Sequence, residues 1–386
     1  MHRRTFLAGT GLAAASPLLA TAAPPVATAS QARLPSLFSR VSFVTDGLDL
    51  DTREYASLLH ETAQAGIEAD WYSNGGVVAQ LEEKFAGLLG KQAAMFVPTG
   101  TLANHIAVRG LAGDDRRVLV QAESHLYNDS GDCASLLSGL NLVPLAPGEA
   151  TMPLEEVREW VERSTHGRVP MKVGVISIET PVRRLDHRMA GFAQLQRVSA
   201  YAREQGIRLH LDGARLFNLP QHSGRGVRDY AALFDTVYVS LWKHFNGMSG
   251  AILAGDAAFI EGLYHTRRMF GGSLPRAWPG LALVGHYVDR YAQDYAQAWQ
   301  AADRLFAALA GHPGFVVRRL EDGTSRCFLS VADVSASDFA QRLAEHDIVI
   351  AGARPDTGEF AMDVNPTVLR RPTEALVAAF LQAARG

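Results

Sequence analysis

Only two of the 386 residues are cysteine, and Cys133 and Cys327 lie too far apart to form a recognisable disulfide framework. Both thiols are expected to be buried and free. An excess of charge of either sign is also lacking. The net charge is −3 and no lysine or arginine run occurs. That excludes the basic footprint of a nucleic-acid binder and the polybasic patch of a membrane-surface protein. No apolar stretch is long enough to span a bilayer, and no internal repeat or low-complexity segment follows residue 29. The composition is ordinary, with 47% hydrophobic and 20% charged residues. It suits a soluble globular protein whose partner is a small molecule.

The first 29 residues stand apart from the fold. Arg3-Arg4-Thr5-Phe6-Leu7, an alanine-rich apolar stretch from Ala8 to Ala23 and the small-residue site Ala27-Thr28-Ala29 follow the order of a twin-arginine export signal. The expectation is a periplasmic or secreted protein with no membrane segment once the signal is removed. Residues 30 to 39 read as an arm.

Beyond the arm, apolar β-rich runs alternate with helical patterns. Strands are expected at 41–47, 93–98, 118–121, 140–145, 172–178, 207–211, 236–241 and 251–254, with helices between most of them, including 52–69, 102–111, 153–163 and 190–205. Continuous apolar runs joined by helices indicate an α/β fold with a mostly parallel central sheet. After a helix at 257–270 and a long one at 275–310, short strands at 315–320, 327–331, 348–350 and 359–364 and helices at 335–345 and 373–384 describe a smaller C-terminal α+β domain. The expected division is 30–285 for the arm and large domain and 286–386 for the small one.

Two of the runs carry chemistry. Ile207-Arg208-Leu209-His210-Leu211 leads into Asp212, and Thr236-Val237-Tyr238-Val239-Ser240-Leu241 leads toward Lys243. Ligands of open α/β sheets gather at the carboxyl ends of the strands. A carboxylate and an amine delivered there could face one pocket. Pyridoxal phosphate needs that pairing, a lysine to form a Schiff base and an acid to keep the pyridine nitrogen protonated. The plain alternative is a turn-forming aspartate and a solvated surface lysine.

Other residues bear on this choice. Thr99-Gly100-Thr101 stands between a strand and a helix, where unpaired N–H groups and the helix dipole favour a phosphate, although the same tripeptide is a common cap. His125 follows the next strand. It either stacks on a cofactor ring as acid or base, or is a capping or core histidine. Arg183 and Arg184 close the strand ending at Glu179, as an anion contact or as ordinary surface charge.

Taken together, Leu211-Asp212-Gly213-Ala214-Arg215, Ser240-Leu241-Trp242-Lys243, and the stretches 71–110, 121–127 and 267–287 resemble the threonine aldolase and β-eliminating lyase family, pyridoxal-phosphate enzymes of fold type I. The resemblance runs from about Val41 to the C-terminus. It implies that Lys243 holds the coenzyme, Asp212 meets its pyridine nitrogen and Arg215 contacts it. Thr99, Gly100 and Thr101 would bind its phosphate, and His125 would stack on its ring. Tyr72 and Arg276 would contribute near the substrate at a subunit interface, in a homodimer or homotetramer. No metal is implied.

The sequence also departs from the family. Val182 stands where a histidine is usual, Glu359 where an arginine for the substrate carboxylate is usual, and His244 where glycine is usual. The Glu179-Thr180-Pro181-Val182-Arg183 pattern suggests a distinct branch in which Arg183 takes over anion binding. The implied activity is aldol cleavage of a β-hydroxy-α-amino acid to glycine and an aldehyde. The alternatives are β-elimination or racemisation on the same cofactor, or a periplasmic protein that binds the cofactor without turnover.

Overall fold

Seven strands, each with a buried apolar stretch, pair into one sheet. The structure, a computed structural model, describes residues 39–385. The export signal read at 1–29, and all but the last residue of the arm, lie outside the described residues. After β1 (Val41–Ser42) come β2 (Ala93–Val97), β3 (Arg117–Gln121), β4 (Asn141–Leu145), β5 (Val173–Glu179), β6 (Arg208–Asp212), β7 (Thr236–Ser240) and β8 (Ala251–Gly255). The sheet order is β2-β8-β7-β6-β5-β3-β4. β4, β3, β5, β6 and β7 are mutually parallel, whereas β8 runs antiparallel to both neighbours, so it alone opposes the other six. The reason is length. Residues 241–250 join β7 to β8, and a parallel crossover needs about a dozen or more.

The helix Gly100–Ala112 packs across β5 to β8, and the helix Gly76–Leu89 covers β2 and β8. On one face the helix Gly76–Leu89 helps close an apolar core around Ile176, Leu209, Leu211, Val237, Val239 and Ile252, all essentially without exposure, while the helix Gly100–Ala112 covers the opposite face, against Met95, Val97, Leu253 and Val120.

A second core belongs to the C-terminal third. β9 (Phe315–Arg318), β10 (Arg326–Val331), β11 (Ile348–Val349) and β12 (Phe360–Asp363) lie there, with β12-β10-β9 forming an antiparallel sheet. The helices Tyr291–Ala310, Ala336–Glu345 and Thr373–Arg385 pack with this sheet.

Two expectations change here. Residues 41–43, read with the large domain, are built into the second core. β1 is only two residues long and pairs in parallel with β11, Val41 beside Ile348, while Phe43 lies edge-on to Phe380 at 6.0 Å. The long helix expected at 275–310 is three pieces, Trp278–Leu281, Val284–Val288 and Tyr291–Ala310. Asp70 sets where the first piece begins. Its carboxylate accepts the N–H groups of Ala277 at 2.9 Å and Trp278 at 2.8 Å and so starts a helix at that point.

The segment after β1 then crosses to the large sheet. Asn365 Nδ2 donates to the carbonyls of Ser42 and Thr45, and Leu48 N–H donates to Asn246 Oδ1 at 2.8 Å. Gly47 passes so close to the Lys243 carbonyl and the Asn246 side chain that a Cβ would collide with both.

Candidate active site

Because β2, β3, β5, β6 and β7 point the same way, their carboxyl ends and the turns beyond them meet at one edge of the sheet. Thr99-Gly100-Thr101 comes after β2, His125 after β3, Glu179 ends β5, Asp212 ends β6, and Lys243 lies one helical turn past β7. A sheet of this kind binds ligands at that edge.

Asp212 is buried and accepts two hydrogen bonds, from Asn104 Nδ2 at 2.6 Å and from Ala214 N–H at 3.2 Å. Glu179, its register partner on β5, is buried too. Its carboxylate accepts the backbone N–H groups of His125 at 2.6 Å and Arg183 at 2.9 Å. Burial and the Asp212 charge outweigh those donors and push the Glu179 carboxyl up to about 7.

Lys243 is lowered to about 8, first by burial and then by the Arg215 guanidinium, against the opposing pull of Asp46, Asp212 and Glu179. An amine in that range keeps an appreciable neutral fraction near neutral pH, the form that attacks a carbonyl. Arg215 makes a bidentate pair with Asp46, Nε to Oδ1 at 2.6 Å and Nη2 to Oδ2 at 2.9 Å, with both side chains nearly out of solvent. That pairing holds the Asp46 carboxyl far below the usual carboxylate range despite its burial.

Thr99 caps the helix Gly100–Ala112 by accepting the Leu102 N–H at 3.2 Å, which leaves the first-turn N–H groups at a positive helix end. Gly100 has a second reason to be glycine. The Tyr238 phenol occupies the space a side chain would need. His125 stands at the same carboxyl edge, at the end of β3. Among the described residues, its Nδ1 and the Ser124 hydroxyl are buried without a hydrogen-bond partner.

The other residues singled out in the sequence make contacts of their own. Tyr72 and Arg276 come together, but on a loop pair anchored by Asp70. Tyr72 N–H donates to the Pro275 carbonyl at 3.2 Å, Arg276 Nη1 donates to the Asp70 carbonyl at 2.7 Å, and the guanidinium lies over Trp71. Among the described residues, no hydrogen bond or ion pair joins either to Lys243, Asp212 or Arg215. Arg183 and Arg184 share Asp129, at 2.5 and 2.9 Å, which leaves the trio one net positive charge. Glu359 does not present a free charge, because Arg318 pairs with it at 2.5 Å. His244 is buried and stacks on Tyr291 at 4.7 Å. Val182 is buried in the core. The cysteines are free, but Cys133 is only half-buried because its short helix lies near the surface, while burial lifts the Cys327 thiol to about 12.

Sequence reasoning missed four residues at this edge. Asp46 and Asn104 reach Arg215 and Asp212 from far away in the chain, and the Glu179 carboxylate went unassigned. The fourth is His187. Its Nδ1 lies 3.0 Å from Ser325 Oγ, its Nε2 has no partner among the described residues, and the charges of Arg215, Asp46 and Lys243 act on it. For Asn104 the available signal was a polar side chain on the otherwise apolar face of Ala103, Ile106 and Ala107.

This donor set fits pyridoxal phosphate. It offers a depressed lysine amine, a buried carboxylate held by two donors, a helix N-terminus for phosphate, and a histidine and a serine with polar atoms left unsatisfied.

Comparison with known proteins agrees. Residues 46–331 match the beta-eliminating lyase family. The low specificity L-threonine aldolase of Saccharomyces cerevisiae is 25% identical over 279 residues, 66% of this chain and 70% of the yeast protein. An alanine racemase of Cochliobolus carbonum is 24% identical over 315 residues, 79% of this chain and 80% of that one. The crystal structure of a candidate L-allo-threonine aldolase from Listeria monocytogenes superposes with a TM-score of 0.72 at 28% identity, covering 85% of this chain and 92% of that one. The chain therefore belongs to the beta-eliminating lyase family and is a pyridoxal-phosphate-dependent lyase of fold type I.

Proposed function

We propose that the chain binds pyridoxal 5'-phosphate and splits the Cα–Cβ bond of a β-hydroxy-α-amino acid, giving glycine and an aldehyde. The observation that carries this reading is the convergence of Lys243, Asp212, Arg215, His125 and the Thr99 turn at one carboxyl edge, in a chain whose relatives include threonine aldolases. When bound, the coenzyme supplies an electron-accepting ring.

The residues divide the remaining work. Lys243 would hold the coenzyme's aldehyde carbon, Asp212 and Arg215 would contact its ring, and Thr99, Gly100 and Thr101 would receive its phosphate. His125, or a water it orders, takes the proton of the substrate hydroxyl. Glu179 serves that step indirectly, since its grip on the His125 backbone N–H fixes where the imidazole stands. Arg183, which with Arg184 carries more positive charge than Asp129 cancels, is the proposed contact for the substrate carboxylate. Tyr72 and Arg276 are proposed to act from a subunit interface of a homodimer or homotetramer. Their neighbours Trp71 and Met269 are apolar and exposed, which supports that assignment. The twin-arginine pattern at Arg3-Arg4 supports export of the folded, loaded enzyme to the periplasm.

Racemisation is the second reading, supported by the likeness to an alanine racemase. The test is product analysis with a panel of amino acids. Glycine plus aldehyde supports the proposal. Pyruvate plus ammonia, or inverted stereochemistry, replaces it with one of its rivals, and bound coenzyme without product marks a non-catalytic binder.

A further inference from the structure

β6 alternates its side chains, so His210 and Asp212 project from the same face. That face lies under the helix Gly100–Ala112, and Asn104 reaches down between them. Asn104 Nδ2 donates to Asp212 Oδ2 at 2.6 Å, and Asn104 Oδ1 lies 2.8 Å from His210 Nε2. His210 Nδ1 lies 2.8 Å from Thr236 Oγ1, on the register partner of His210 in β7. All four side chains are at most 3% exposed.

The direction of every proton in this series is set at its carboxylate end. A carboxylate only accepts, so the Asn104 amide must turn its NH₂ to Asp212 and its oxygen to His210. The His210 ring must then carry its proton on Nε2, and its bare Nδ1 must accept the Thr236 hydroxyl proton. Burial keeps the ring neutral, with its pKa pushed down to about 4. Four buried polar groups are thus satisfied in one sense only. Reversing any one of them would leave a buried donor or acceptor unpaired, with the full cost of its lost hydration uncompensated.

We infer that Thr236, His210 and Asn104 form a one-way positioning relay, which fixes the Asp212 carboxylate as an acceptor and sets the angle at which it meets the coenzyme's ring nitrogen. The inference rests on the coenzyme reading above. Asn104 stands one turn beyond Gly100 on the same helix, so the element that ends in the phosphate turn also holds the acid. The distance between the two ends of the ligand site is then set by one rigid piece of backbone.

Four variants and one spectrum test this. Asn104→Leu, similar in volume, is expected to weaken coenzyme affinity and lower kcat on the order of 10–100-fold, as loss of outer partners of a ligand group does. KM should stay near the wild-type value, and the pH at which the bound coenzyme's visible absorbance changes should move. His210→Phe should act in the same direction, and His210→Gln, which can both donate to Asn104 and accept from Thr236, should restore most of the loss. Thr236→Val should have the smallest effect. Nitrogen-15 NMR of the coenzyme-free protein should show His210 as the neutral Nε2–H tautomer between pH 5 and 9. A charged ring or the Nδ1–H tautomer would overturn the relay. So would coenzyme affinity, kcat and pH profile within about twofold of wild type in both Asn104→Leu and His210→Phe. Wild type that takes up no coenzyme overturns the proposed function itself, and the relay with it. Wild type that loads while the variants match it overturns the relay alone.

Discussion

The carboxyl edge of the seven-stranded sheet and the core of the three-stranded sheet bury side chains to opposite effect. Around β9, β10 and β12 the interior is mainly apolar, with Phe306, Phe43, Phe380 and Phe339 in a chain of ring contacts, and its charges are paired off at strand ends, as in Arg318–Glu359 and the more buried Arg326–Asp363. At the other site, acids, an arginine and histidines are drawn inside, with Lys243 half-buried among them. The second core thus resembles a part selected for packing. The first gives up packing to polar groups that would cost less if replaced by hydrocarbon, which is the pattern of a site held for chemistry.

Perturbing each region should expose that difference. Lys243→Ala should remove turnover by on the order of 10³-fold or more while leaving urea stability close to wild type. Phe380→Ala should do the reverse, costing about 3–5 kcal/mol in urea unfolding with visible coenzyme absorbance retained by the folded fraction. Asp46→Asn should do both. It breaks a buried ion pair, at about 3–5 kcal/mol, and it leaves the Arg215 charge unopposed beside Lys243. The rate of covalent coenzyme attachment, expected in wild type to rise with pH through about 8, should then rise at lower pH. Glu359→Ala, which removes the exposed rim pair, should change stability by only about 0–1 kcal/mol.

The pH dependence of stability sharpens the contrast further. The Glu179 carboxyl is raised from its ordinary 4.5 to about 7, so the folded state holds this proton more tightly than the unfolded chain does. Its contribution is complete below 4.5 and is lost as pH rises through 7. Glu179→Gln should flatten that part of the stability profile of the coenzyme-free protein, measured by urea titration at a series of pH values. An unchanged slope would mean that the carboxyl is already ionised in the folded state.

How much of this was legible in the sequence depends on which contacts are local. The strand runs ending at Asp212 and leading to Lys243, and the cap at Thr99, are readable because apolar patterning and cap chemistry act within a few residues. The partners that tune them act at long range. Asp46 reaches Arg215 from the far end of the chain, and Asn104 reaches Asp212 from another helix. β1 could not be assigned to the second core because two residues carry no periodicity, and its partner β11 lies some three hundred positions away. The start of the first helical piece at Trp278 was hidden for a similar reason, since the carboxylate that fixes it is Asp70. The sequence showed Glu359 where an arginine is usual, but not that Arg318 pairs with it across the sheet.

The most direct test of the account is to load the purified protein with pyridoxal 5'-phosphate, reduce it with borohydride and locate the modified residue by peptide mass spectrometry. The account predicts a single stoichiometric modification at Lys243, absent in Lys243→Ala. A modification at another lysine, or none in a folded protein saturated with coenzyme, would contradict it.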